Sequence, residues 1–166
     1  MPFSINTFRS AGLPLGGARP SLFEVVIPRL GPQIIFRCKA AQIPAGTVAP
    51  LEVPYFGRTI KLAGFRTFAE WTPTIIEDED FVVRRLLESW NQEINSHEAN
   101  LRTGGQDYKG GDAFVTVYSK SGPPIKIYKL NNLWCSEVGA IDLAWDNDAV
   151  MEYSVTFQFD YWENVL

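Results

Sequence analysis

The residues able to do chemistry in this chain are few and poorly grouped. His97 is the only histidine, and a general base needs a nucleophile or acid within hydrogen-bond reach. No serine or cysteine pairs with it by spacing, and it follows a helical stretch whose end suits a cation. The run Glu77-Asp78-Glu79-Asp80 invites a metal, but calcium loops alternate their ligands and need a glycine and a distal glutamate. Negative charge at a helix start explains the run better. Asp146-Asn147-Asp148 fails the same test, with Phe157 where the closing glutamate would stand; a hairpin turn is the simpler expectation. "TGGQDYKGG" lacks the spacing and preceding strand of a phosphate loop. Lys120, Lys126 and Lys129 suit the protection of a strand edge, being too sparse for a nucleic-acid face. Cys38 and Cys135 lie far apart and read as buried free thiols. The expectation is a protein with no catalytic residue, metal or cofactor.

The 166 residues suit one domain with a real core. A net charge of −4 argues against clamping nucleic acid by charge. "MPFSINTFRSAGLPLGG" shows no charged region followed by an apolar run, and no stretch reaches the length of a membrane span. A soluble protein without membrane anchoring, made in a cytoplasm, is expected.

The elements follow from period and punctuation. Residues 1–18, with Gly12, Pro14, Gly16 and Gly17, read as a flexible arm outside the core. Its apolar Phe3, Ile5 and Phe8 suit docking on a partner, so the arm is expected to order on assembly. Residues 19–166 form a single domain. "LFEVVI" and "QIIFRCKA" read as a hairpin around Pro28–Pro32. The stretch 42–57, broken by Pro44, Gly46, Pro50 and Pro54, reads as a long loop. Its Ile43, Val48, Leu51, Val53, Tyr55 and Phe56 are apolar, which marks a contact surface. "RTIKLAGF" and "EWTPTII" resume strands, with Pro73 demanding an edge or bulge. Over about 79–95 the period becomes helical, and Val83, Leu86, Leu87, Trp90 and Ile94 form its core face, joined by Phe81. Residues 96–111 read as loop. "AFVTVYSKSGPPIKIYKL" is a second hairpin. "AIDLAWD" and "YSVTFQFDYW" complete the set as a pair joined at Asn147-Asp148.

The last of these strings alternates strictly. Tyr153, Val155, Phe157, Phe159 and Tyr161 make a dry face, expected to pack on Leu87 and Trp90. Ser154, Thr156, Gln158 and Asp160 make a wet one without a cation. Strands, then one helix, then strands imply a mainly β fold with one flanking α-helix, an antiparallel β-sandwich or barrel-like unit. Without a catalytic set, a structural or binding role is expected. A monomeric small-ligand-binding β-barrel is the rival from another class, and a hydrolase built on His97 the weakest.

Five strings together, "ARPSLFEVVIP", "FRCKAAQIPAG", "VPYFGRTIKLAGFRTFAEW", "IDLAWD" and "VTFQFDYWE", resemble the tail tube proteins of contractile-tailed bacteriophages, in register from Ala18 to Glu163. Related proteins form the inner tubes of bacteriocins and other contractile injection systems. The chain departs from the family pattern at Phe65, where an acidic residue is common, and at Cys135, where a proline is. The resemblance implies a hexameric ring whose subunit strands join in one continuous lumen barrel. It implies rings stacked into a hollow virion tube, assembled in the host bacterial cytoplasm, through which DNA passes. Implied partners are further copies of the chain, the tail sheath protein, the baseplate and tail terminator proteins, and a tape-measure protein with DNA transiently in the lumen. On this reading Ile43, Pro44, Val48, Leu51, Val53, Tyr55 and Phe56 reach a neighbouring subunit or ring. Ser154, Thr156, Gln158 and Asp160 then suit a lumen that does not hold phosphate.

Overall fold

A computed structural model of the chain describes residues 4–98, 104–105 and 108–166. Its strands are β1 (Phe23–Val26), β2 (Cys38–Ala40), β3 (Gly46–Tyr55), β4 (Arg58–Phe68), β5 (Thr74–Ile76), β6 (Ala113–Tyr118), β7 (Pro124–Asn131), β8 (Trp134–Val138), β9 (Glu152–Gln158) and β10 (Tyr161–Asn164). The helices are α1 (Ile5–Ala11), α2 (Ile34–Arg37) and α3 (Val82–Ile94), with a 3-10 turn at Pro28–Leu30. One antiparallel sheet runs β1-β6-β7-β10, a second β2-β5-β9-β8, and among the described residues β3 pairs with β4 alone. The mainly β, antiparallel expectation holds, and these sheets do not close into a barrel within the subunit.

The core lies between the sheets. The first contributes Val25, Val115 and Leu130, the second Ile75, Cys135, Tyr153, Val155 and Phe157. Helix α3 adds Val83, Leu87 and Trp90. The Phe157 ring sits between Trp71 at 5.7 Å and Trp90 at 6.1 Å, so the dry face of β9 does pack on α3. Both indole N–H groups are satisfied, Trp71 by the Gln42 carbonyl at 2.8 Å and Trp90 by that of Tyr108 at 2.7 Å. The buried stripe of α3 is narrower than its periodicity predicts. Ile94 packs against the core, but Leu86 stands on the shoulder of the stripe and is 40% exposed. Phe81 precedes the helix in a left-handed conformation (φ 48°) and also faces out.

The acidic run does cap this helix, and Glu77 does more. Its side chain is buried and accepts from the Arg84 N–H at 3.1 Å, the Tyr153 hydroxyl at 2.7 Å and Arg37 at 3.0 Å. Asp80 accepts from the Val82 N–H and grips Arg37 through both oxygens at 2.8–2.9 Å. The carboxylates therefore fix the N-terminus of α3 to α2 and β9.

Several expected elements are replaced. The first hairpin does not form: β1 pairs with β6 and β2 with β5. The two prolines force the intervening chain into a 3-10 turn and a helical turn that carry it from one sheet to the other. "AIDLAWD" is not a strand; β9 pairs with β8 instead, and residues 139–151 form a loop because the other side of β9 is taken by β5. The last string is two strands. Past Gln158 the chain bends at Phe159-Asp160 and β10 joins β7 of the other sheet. The arm, expected to be loose, carries α1; Phe3 lies outside the described residues.

Candidate assembly interface

The stretch expected to be a loop is half of a long two-stranded ribbon, β3 with β4. Its turn is Phe56-Gly57, both at positive φ (44° and 77°), the geometry that matches the right-handed twist of the flanking strands. Pro50 and Pro54 are compatible with a strand here because β3 has one partner. Four residues apart, they direct their missing donors to the same, unpaired edge. A bulge on β4 sets Gly64 and Phe65 against the single Ala49 of β3, between the pairs Val48–Arg66 and Pro50–Ala63. A Cβ on Gly64 would stand 2.6 Å from the Ala49 carbonyl oxygen, so the bulge requires glycine there. Phe65 in the bulge is 90% exposed.

The two faces of the ribbon differ. Leu51 faces Leu62 across the strands and Val53 faces Ile60, with Tyr55 at the tip; alternation puts all five on one side. The other side carries Glu52 opposite Lys61, an exposed ion pair at 3.6 Å, and Pro54 opposite Thr59. Every residue of β3 is exposed. Among the described residues the dry face thus stays about half open to solvent: Leu51 is 56% exposed, Leu62 and Ile60 51%, and Val53 40%.

Aromatic groups fix the root of the ribbon. Phe68 packs on Phe159 at 6.1 Å and Trp162 at 6.4 Å, and the Trp162 indole donates to the Ala45 carbonyl at 3.2 Å. Pro44, read from sequence as an inter-subunit residue, is buried here in its own chain and belongs to this root. Ile43 is exposed beside a cleft of about 300 Å³ lined by Phe23, Val115 and Val117. Val48, Leu51, Val53, Tyr55 and Phe56 all point to solvent. In the arm, Ile5 and Phe8 are exposed, and Lys120 donates to the Gly16 carbonyl at 2.8 Å.

The second sheet presents a polar outer face. Thr74 stands opposite Ser154, Glu137 opposite Thr156 and Trp134 opposite Gln158. Gln158 donates to Glu70 at 3.3 Å, and Ser136 to the Thr156 carbonyl at 3.0 Å. Lys39 at the rim is paired with Glu152. Ser154, Thr156 and Gln158 therefore share one wet face. Asp160 does not, because it sits in the bend between β9 and β10. There Lys109 holds it at 2.8–3.0 Å with Asn132 at 2.7 Å. The Lys109 hydrogen bond, helped by Asn132, keeps its carboxyl below the usual carboxylate range.

The other chemistry-bearing residues are structural or solitary. His97 is exposed just past the end of α3. Cys38 and Cys135 are free thiols, pushed by burial up to about 11 and about 12. Lys129 is neutralised by Asp112 at 3.0 Å and Glu163 at 3.5 Å. Among the described residues no group of three or more His, Cys, Asp or Glu could hold a metal ion. No described helix is long and apolar enough to cross a membrane. The ribbon's pairing and Glu77's role lie beyond the sequence expectations; for the ribbon the sequence signal is Tyr55-Phe56-Gly57-Arg58 between two apolar alternations.

Comparison with known proteins agrees with this geometry. A sequence model of the family described as phage tail tube protein matches residues 14–165. The chain is 39% identical over 150 residues to the tail tube protein gp19 of Enterobacteria phage T4, covering 88% of this chain and 91% of that protein. The fold is similar to that of the sheath/tube terminator of the extracellular contractile injection system PVC, with TM-score 0.63 and 12% identity over 90% of this chain and 97% of the other. It is also similar to a chain of the PVC sheath–tube complex in the extended state, with TM-score 0.59 and 10% identity over 98% of both.

Proposed function

The chain belongs to the phage tail tube protein family, and from that premise we propose that its copies close into hexameric rings, stacked as the conduit of a contractile tail. The observation that carries this is the ribbon. Its dry face is built from two matched apolar pairs and left open by its own chain. Such a face marks a contact, and a second copy of the chain is the cover it fits. The open sheet edges β1, β10, β2 and β8 have the same need, and closure of a ring removes edges altogether. The arm of residues 1–18, with exposed Ile5 and Phe8, orders on a neighbour in the same way.

The wet face of the second sheet lines the lumen on this reading. One free lysine per subunit would set about six cations around each ring, and each phosphate neutralised adds about 0.9 to the salt slope of DNA binding. Ser154, Thr156, Gln158 and Glu137, with Lys39 already paired, give DNA and a tape-measure protein nothing to hold. The sheath surrounds the tube, the baseplate starts it and a terminator ends it. The tube is assembled in the host cytoplasm, and the subunit is structural, not an enzyme. A phage is favoured over a bacteriocin-type device because the relative at 39% identity is a phage tail tube protein. Negative-stain microscopy of the purified chain, alone and with its baseplate, tests the assembly. Rings or tubes are expected, and monomers at every concentration with the baseplate present would refute it.

A further inference from the structure

We infer that the loop 139–151 of one copy is the seat for the β3–β4 ribbon of the next, an acidic and apolar surface meeting a basic and apolar one. This rests on the tube reading above and adds which two surfaces meet. The loop carries Asp142, Asp146 and Asp148 with no cation. Residues 142–151 are exposed throughout, including Leu143, Val150 and Trp145, whose indole is wholly in solvent. An apolar cluster this open marks a contact, and tryptophan is the residue most often found at the centre of one. The ribbon has the opposite character. In a chain of net charge −4 it holds Arg58, Lys61 and Arg66 against the single Glu52, beside exposed Tyr55, Phe56 and Phe65.

The two surfaces sit at opposite ends of β9. The loop is rooted at the strand's start, where Gly139 donates to the Ser154 carbonyl at 2.8 Å and Glu77 to that of Met151 at 2.9 Å. The ribbon is rooted just past its end, at Phe159 and Trp162. Seven residues of strand separate them by about 23 Å. Complementary surfaces at opposite ends of one subunit make a head-to-tail contact, which propagates from copy to copy. The charges set partner and register, and the apolar groups supply the burial.

Charge reversal with rescue tests this on the full chain, seeded with baseplate, by pelleting across a concentration series. Loop variant D142K/D146K/D148K and ribbon variant R58E/K61E/R66E each set like charges against like, and should raise the critical concentration for tubes at least about tenfold. The chain carrying both sets should recover to within about threefold of the parent. Trp145→Ala, at a side chain with no fold to support, should also raise the critical concentration. Rescue excludes misfolding as the cause of the single-sided losses. If the loop variant and Trp145→Ala assemble like the parent, or the combined chain does no better than either half, the inference falls while the tube reading stands. Failure of the unmodified chain to form tubes would remove both.

Discussion

Replacing the dry face of the ribbon with threonine, as L51T/V53T/I60T/L62T, should abolish assembly and leave the subunit folded. Threonine is β-branched and favours strands, and Thr–Thr pairs still interact across them, so the pairing of positions 51 with 62 and 53 with 60 persists. These four side chains are 40–56% exposed in the subunit. Fully burying such a residue contributes about 1.5–3 kcal/mol, so covering the remaining half contributes about 0.8–1.5 kcal/mol each. Four together give about 3–6 kcal/mol per ribbon before ordering costs, or about two to four orders of magnitude in the association constant. Sedimentation of tubes against concentration reads that loss. Urea unfolding of the unassembled subunit should shift by no more than about 0.5 kcal/mol, as surface substitutions do. Assembly at parental concentrations would refute the assignment of this face. So would a large loss of subunit stability, which would mean that the face is already covered within its own chain.

Glu77→Ala should cost about 3 kcal/mol, near 10 °C in Tm, because it strips three hydrogen bonds from a buried carboxylate and orphans the Tyr153 hydroxyl; a change under about 1 kcal/mol in a thermal melt would contradict that role. Acid should weaken the subunit. The Arg37 hydrogen bond and the Val82 N–H hold Asp80 below its ordinary pKa, and Lys109 does the same for Asp160. Their contribution is complete above about pH 4 and is lost as pH falls through the lowered native values. Urea midpoints at pH 6 and pH 3 should differ less in D80N than in the parent, and equal differences would count against the Arg37–Asp80 pair. The thiols of Cys38 and Cys135, raised by burial to about 11 and about 12, should resist a thiol reagent at pH 8 until the chain is unfolded; rapid labelling of the native subunit would show them accessible.

Period alone placed α3, the hairpin of β6 and β7, and the two faces of β9, because each depends on neighbours in the chain. The shared wet face of Ser154, Thr156 and Gln158 was legible for the same reason, and Asp160 falls outside it because the chain bends after Gln158, which no local signal marks. The apolar character of residues 48–56 was legible, but their place in a strand was not. Two prolines hide a β pattern unless the unpaired edge is known, and an edge is a property of the sheet.

By itself, then, the sequence determined alternation, helical stripe and charge balance, all of which are local or compositional. Tertiary structure decided the rest. It set β1 beside β6 and β9 beside β8, across separations that no turn signal spans. It buried Glu77 under Arg37 and Tyr153. It also left the ribbon's dry face and the Asp142–Met151 loop in solvent at opposite ends of one strand. Pairing partners and exposure depend on which distant segments compete for the same edge and the same core, and that competition is resolved only when the whole chain has folded.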